Sequence, residues 1–571
     1  MPDAIPGFFD YPMNKDRVLT LLKKNESANR YILNITVTVL VFLLIYGVNI
    51  LDVTNIDWIR ASDGDPYQHY IGWLAYSMSP WSFPWGLGTG LNGSDSFSIV
   101  LTDSIPIVAF IFKLFKAVLP EQFQYFGIYG LINYALMSFF VTKICNKYKV
   151  DTVSSLIVSL IVCFNPVVLF RMYIHTGLAS WWLLLWAYDI LLTQRDSGKQ
   201  ISVSVLIQVV LMGFISVSIH TYYLLLCAFV LGIYCFYESI CKHRWLYILL
   251  YPEVYVISGM FALWFWGASD ISTTVKSAIE PFGFNLNSFY NPIHWGNLIL
   301  PALPVCGEAQ EGESYMYLGA GGLLMVILIV AFLIYRKVRH ESIRFNTGLF
   351  VSMALVCLVI FIIALSNRVT FNGNVLAEFT VPETIYEIWA LFRSVSRMMW
   401  VVYCLILIVG MIGLYRVAPA KIRMAVMILV LALQIVDLFP LIMNTRDKYN
   451  HVSLLPETVC SAPVWETIGQ DPSLDTIVLI SMNLDYVPDV ILPVSEYAVE
   501  HDMTLNQFYF ARLSYSAGKR EAALETLRQR VPNCVYVFNE ADMQDPEVIE
   551  AIDYSGINIY ESSGCYVGLF D

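Results

Sequence analysis

Twelve apolar runs, each about 16–21 residues long, succeed one another between residues 31 and 442, and they decide what this chain can become. A run of that length spans the hydrocarbon of a bilayer as a helix. Lipid offers backbone amides no hydrogen-bond partner, so each crossing segment has to satisfy its own N–H and C=O groups. Composition agrees: 57% of the 571 residues are hydrophobic and 14% charged, against about 25% charged in soluble domains. The mean hydropathy is +0.60. The sequence predicts a polytopic α-helical membrane protein. Its eleven cysteines are scattered without a C-x-x-C pair, which signals neither a zinc site nor a disulfide framework. Cys460, Cys534 and Cys565 share one segment and could pair.

The runs lie at 31–51, 104–119, 122–142, 153–170, 178–193, 203–220, 221–239, 246–266, 318–335, 346–366, 398–415 and 422–442. Lys and Arg favour the cytoplasmic side of short loops. The basic connectors around Lys147, Arg195, Arg244, Arg336 and Arg416, with the leader 1–30, share that side only if one early run does not cross. The run 104–119 is the candidate: it opens Asp103-Ser104-Ile105-Pro106, carries Lys113 and Lys116, and ends at Pro120. Taken as an interfacial helix, it leaves eleven spans in a transmembrane domain at 31–443, with the N-terminus cytoplasmic. The first run lacks a cleavage site and reads as a retained anchor. Loops 52–121, 267–317 and 367–397 are then external. So is residues 444–571, where β-rich stretches (476–480, 534–538, 557–560) alternate with helical ones (519–530, 545–553), suggesting a small α/β domain. No nucleotide-binding glycine fingerprint is present.

Chemistry gathers in the external loops. Asp63-Gly64-Asp65-Pro66-Tyr67-Gln68-His69 sets two carboxylates and an imidazole just past the first span. If Pro66 opens a helix, Asp65 is its N-cap. The alternatives are a general base, or a D-x-D pair of hard oxygen donors for Mg²⁺ or Mn²⁺. Asp103 reads as the cap of the helix that follows it. Arg393 and Arg397 share a helix face at the outer start of a span, where both the topology bias and the helix dipole disfavour cations. A bound phosphate would relieve both conflicts; pairing with Glu383 or Glu387 is the plainer alternative. Arg171 and His175 repeat the i, i+4 spacing, and a structural salt bridge there competes with a second anion contact. His294 and Glu313 stand in an irregular Pro-, Gly- and Asn-rich loop that could bind an acceptor sugar. Trp73, Trp81, Trp85, Trp181, Trp182 and Trp186 are candidates for sugar stacking or an interfacial belt.

Taken together, Asp63 to Tyr70 with Gly72-Trp73, Thr102 to Pro106, Phe123 to Gly127, Asn291-Pro292, Leu300 to Pro304, Tyr317 to Gly319, Phe392 to Arg397 and Asn506 to Arg512 resemble the multi-span glycosyltransferases of the C superfamily. More closely, they resemble an uncharacterised bacterial membrane family assigned to it. The resemblance covers nearly the whole chain. It implies a polyprenyl-phosphate-linked sugar donor, a cell-surface glycan or glycoconjugate acceptor, and transfer at the outer face of the bacterial cytoplasmic membrane. By this resemblance Asp63 or Asp65 would be the base or the metal ligand, and Arg393 and Arg397 would meet the donor phosphate; the residues themselves add Arg171 as a further phosphate contact and His69, Asp103, His175, His294 and Glu313 as acceptor-binding or supporting groups. The alternatives are a carrier of lipid-linked oligosaccharide or a non-catalytic subunit of polysaccharide assembly. A carrier would want ionisable residues along a path through the bundle, whereas the charged candidates here collect at one face.

Overall fold

The computed structural model describes residues 15–62, 64–198, 201–269, 278–295, 298–341, 346–450, 458–511 and 517–570. Among the described residues, six helices are long and apolar enough to cross a membrane: Glu26–Tyr46, Phe126–Lys147, Tyr222–Ser239, Gly319–Val338, Thr347–Ala364 and Val395–Val417. Arg423–Asp437 and Phe439–Asn450, bent by 54°, make a seventh if they form one broken span. Six or seven full-length helices therefore stand where eleven crossings were expected. Of the other runs, 246–266 forms one 20-residue helix, Leu246–Phe265, with Pro252 inside it, and the rest are helical but interrupted or short. The run 153–170 breaks after Cys163 and restarts at Pro166, and Val203–Ile219 is 17 residues long. The run 104–119 gives a nine-residue helix, Pro106–Leu114, and a 3-10 turn, Lys116–Val118. At 1.5 Å per residue that helix is about 13 Å long, too short to cross.

Apolar burial cannot by itself choose helix partners in lipid, so close backbone approach and buried polar groups do. Asn34 donates to the hydroxyls of Thr142 and Ser155 at 2.9 and 3.0 Å, and Thr38 to Ser138 at 3.1 Å, joining the first helix to its neighbours. A Cβ on Gly213 would fall 2.4 Å from the Tyr255 carbonyl, so only glycine lets those two helices approach so closely. Asp437 accepts from the Ala320 amide (2.8 Å) and the Tyr317 hydroxyl (2.6 Å), placing a carboxylate on the positive N-terminal end of Gly319–Val338. Lys143 and Lys147 close on the buried Asp189 at 2.7 and 2.6 Å. The outer sides of Thr347–Ala364, with Phe350, Leu358 and Ile362 exposed, present the apolar surface that lipid requires.

Residues 458–570 build a five-stranded mixed sheet in the order Thr504–Leu505, Thr476–Leu479, Cys534–Asn539, Cys565–Leu569, Asn558–Ser562. The first three strands are parallel and the last two antiparallel to their neighbours. Helices Ala517–Arg528 and Pro546–Ser555 cover one face through Leu524, Leu527, Val548 and Ala551. This α/β region grips the first loop after Glu26–Tyr46. Arg60 meets Glu496 in a bidentate pair at 3.0 and 2.8 Å, and the Tyr67 hydroxyl donates to the same carboxylate. The amides of Gly93 and Leu505 donate to the Leu505 and Gly90 carbonyls at 2.7 and 2.8 Å, so the edge strand is paired rather than open. Glu496 is 5% exposed; removing one partner of a buried pair costs about 3–5 kcal/mol. Glu496→Ala is expected to lower the thermal unfolding midpoint in detergent and to open the region to limited proteolysis, and an unchanged midpoint would refute the clamp.

Candidate functional site

The helix Asp65–Met78 is the foundation of the site. Gly64, at φ +77°, turns the chain into it, a conformation that glycine adopts without strain. Pro66 sits in the first turn, where its missing N–H costs nothing. The expectation that Asp65 caps this helix is corrected: the cap residue is Gly64 and no side chain caps the turn. The Asp65 carboxylate instead accepts from His175 Nε2 at 3.0 Å. Burial raises its pKa, but the charge and hydrogen bond of His175 outweigh that and hold it below the usual carboxylate range. Asp63, the other acid of the motif, lies outside the described residues.

One turn on, His69 is 1% exposed and burial pushes its pKa down to about 4, so it is neutral near pH 7. Its Nε2 has no hydrogen-bond partner among the described residues. The His69 and His175 rings lie 5.7 Å apart. Asp103 reaches the same place from a left-handed turn, φ 50°. The expectation that it caps the next helix is also corrected: Ile105 holds the cap position, and Asp103 Oδ1 lies 3.3 Å from His220 Nε2. The Tyr222 amide donates to His220 Nδ1 at 3.2 Å, which leaves Nε2 as the protonated nitrogen. Burial raises the Asp103 pKa, and His220, His69 and His175 together lower it more strongly. Ser104 Oγ donates to the His69 carbonyl at 2.6 Å, tying this turn to the helix below.

Beside the two carboxylate–histidine pairs lies a cationic group. Glu313 takes Arg397 at 2.5 and 2.7 Å and Arg171 at 3.3 Å, and Arg171 also donates to the Gly312 carbonyl at 2.5 Å. Both arginines are buried and flank the Trp400 ring at about 6 Å. The charges of Asp65 and Asp103 act on Arg171 and Arg397 respectively, so the acidic and basic groups share one neighbourhood. Arg393 is exposed, lies 5.1 Å from the Phe282 ring, and has no acidic partner among the described residues. Arg171 and Arg397 less Glu313 leave one positive charge in this buried group, and Arg393 adds a separate, exposed one. The irregular loop that carries Glu313 is held by buried amides: Gln310 bonds Asn285, the Cys306 amide, the Gly283 carbonyl and Thr370 at 2.8–3.1 Å.

Of the residues expected from sequence, Asp65, His69, Asp103, His175, Arg171, Arg397 and Glu313 come together. For Arg397, the alternative of pairing with Glu383 or Glu387 gives way to pairing with Glu313. His294 does not join them; it is 68% exposed at its side chain and pairs with Glu311 at 3.0 Å. Trp73, Trp181 and Trp182 are core residues and cannot stack on a sugar, while Trp81 and Trp85 are exposed beside Phe83 and Trp264. From sequence His220 stands out only as an ionisable residue at the break between two apolar runs, with no partner to give it a role. Sequence reasoning gave no role to Tyr509, whose carbonyl accepts from Gln68 and whose phenol feels the charges of Asp65, Arg393 and Asp103. His69, Asp103 and His175 each offer a ligating atom, and the three lie within 4.8 Å of one another.

Gly72 sets the spacing between the two acid-bearing segments. A Cβ there would fall 2.3 Å from the Thr102 side chain, next to Asp103. Overpacking of this kind costs about 1–3 kcal/mol. Gly72→Ala is expected to lower the unfolding midpoint, and an unaltered midpoint would show that Thr102 yields freely.

The profile of a domain of unknown function, DUF6311, matches residues 35–439, and that of the DUF6311 C-terminal domain matches residues 445–569. No curated protein matches the chain. Among solved structures, the crystal structure of the Archaeoglobus fulgidus oligosaccharyltransferase in the apo form aligns with 92% of this chain and 71% of its own, at 12% identity and a TM-score of 0.41. With both profiles matched end to end along the chain, the protein belongs to the DUF6311 family.

Proposed function

We propose that this protein is a glycosyltransferase of the bacterial cytoplasmic membrane. It takes a sugar from a polyprenyl-phosphate-linked donor and passes it to a cell-surface glycan or glycoconjugate at the outer face. The observation that carries the reading is the juxtaposition of two carboxylate–histidine pairs with the buried Arg171–Arg397–Glu313 group, which holds one surplus positive charge. An anionic leaving group and a hydroxyl nucleophile need those two features side by side.

In this reading the acceptor oxygen bonds to the anomeric carbon as the bond from that carbon to the phosphate oxygen breaks. Asp65 receives the hydroxyl proton. Its depressed pKa makes it a weak base, and the His175 Nε2–H at 3.0 Å orients the carboxylate that takes the proton. Asp103, held by His220, faces the same space and stabilises positive charge developing on the sugar. The departing polyprenyl phosphate carries its charge to Arg393, the exposed guanidinium, backed by Arg397 and Arg171. A carrier would want free ionisable groups along the bundle; the buried Asp189 and Glu238 are each paired with basic side chains, and Asp437 is engaged by the Tyr317 hydroxyl and the Ala320 amide.

The test is transfer by the protein reconstituted in lipid with a polyprenyl-phosphate sugar. Asp65→Asn and Asp103→Asn are each expected to slow turnover about 10²–10⁴-fold. Wild-type rates in both would sink the carboxylate roles. Arg393→Ala removes a charge-assisted contact of about 1.5–3 kcal/mol, which corresponds to a roughly 10–100-fold rise in donor KM. Mass spectrometry of surface glycans from a deletion strain and its parent identifies the acceptor, and identical glycans would count against the whole reading.

A further inference from the structure

The geometry points to a metal-binding site formed by His69, Asp103 and His175, taking a borderline divalent cation such as Zn²⁺ or Mn²⁺ in preference to Mg²⁺. It is a claim about ion binding and does not depend on glycosyl transfer.

The starting point is His69. Its imidazole is almost wholly buried, yet Nε2 has no partner among the described residues. An unmet buried polar atom costs about 1–3 kcal/mol, and a cation bound to that lone pair recovers it. The two other donors arrive from separate parts of the chain, Asp103 from the turn before Pro106–Leu114 and His175 from the turn after Pro166–Arg171. The spacing is slightly open. A metal–nitrogen bond of about 2.0 Å puts two donors on one ion no more than about 4 Å apart, so the trio, within 4.8 Å, has to close a little.

The groups behind the donors are those that orient metal ligands. His175 gives its Nε2 side to Asp65, leaving Nδ1 without a hydrogen bond. That is the carboxylate–histidine arrangement that fixes the ring and raises its basicity. His220 holds one oxygen of Asp103, and Ser104 binds the backbone of His69. Asp65 and Asp103 also bring two negative charges to the side of the neighbourhood where the ion would sit. Two imidazole nitrogens suit Zn²⁺ first, Mn²⁺ being drawn chiefly by the carboxylate oxygen, whereas Mg²⁺ demands an oxygen shell. The donor set therefore differs from the oxygen-only D-x-D pair: Asp65 serves as a positioning residue, and His69 replaces it as a ligand.

The test uses the full-length protein in detergent, stripped with chelator, equilibrated with Zn²⁺, Mn²⁺ or Mg²⁺, desalted and assayed by elemental mass spectrometry. About one Zn²⁺ or Mn²⁺ per chain is expected, and excess Mg²⁺ should not displace it. Co²⁺ loading should give visible d–d absorption that changes in His69→Gln. His69→Gln and His175→Gln should weaken binding at least tenfold, and Asp65→Asn about 10–100-fold. The idea is overturned if the wild-type chain retains none of the three ions, or only Mg²⁺. It is equally overturned if variants that match the wild-type unfolding midpoint bind metal as tightly as it does, which would place the ion elsewhere.

Discussion

An ionised group buried at the end of a lipid-facing bundle has to be paired, and here the pairs are what bring distant parts of the chain together. Glu313 joins segments that begin near residues 171 and 397, Asp65 reaches to 175, Asp103 to 220, and Glu496 back to 60 and 67. Each pair leaves water only because its partner is already in position. Helix packing in lipid gives little directional preference of its own. The register among these segments is consequently set by a few carboxylates, and the site is built from the same groups that lock the fold.

Periodicity and hydropathy made most of the helices legible before any coordinates. The eleven runs assigned as spans are all helical, and 104–119 does not contain a full-length span. What escaped was helix continuity. The runs after Val153 and before Asn450 are apolar enough, but Asn165-Pro166 and the turn at Leu438 break them. An apolar composition measures affinity for lipid, whereas a break depends on one or two residues and on their neighbours. The α/β character of the C-terminal part was legible for a different reason: its β-branched strands and charged helices obey the rules of soluble domains.

The site was legible by composition and not by pairing. Asp65, His69, Arg171, His175 and Arg397 stood out as charges in unlikely places, and they do converge. Their roles shifted because local rules competed with tertiary ones. Asp65 and Asp103 precede prolines that open helices, an arrangement that invites a cap, yet each carboxylate turns to a histidine over a hundred residues away. A capping bond is worth about 1 kcal/mol, less than a charge-assisted contact in a dry setting. Arg397, expected to wait for an anion, already has one in Glu313. That leaves the exposed Arg393 with the most accessible positive charge of the group.

The backbone clasp between Leu505 and Gly90–Gly93, with Gln68 bound to the Tyr509 carbonyl, has a consequence in time. Gln68 and Tyr509 are 441 residues apart. At about 5–20 residues per second, the ribosome needs roughly 20–90 s to make the second after the first. Throughout that interval the helix bearing Asp65 and His69 exists without the domain that grips it. A nascent or truncated chain thus carries an unfinished site into the membrane, and completion of synthesis is itself the event that assembles it.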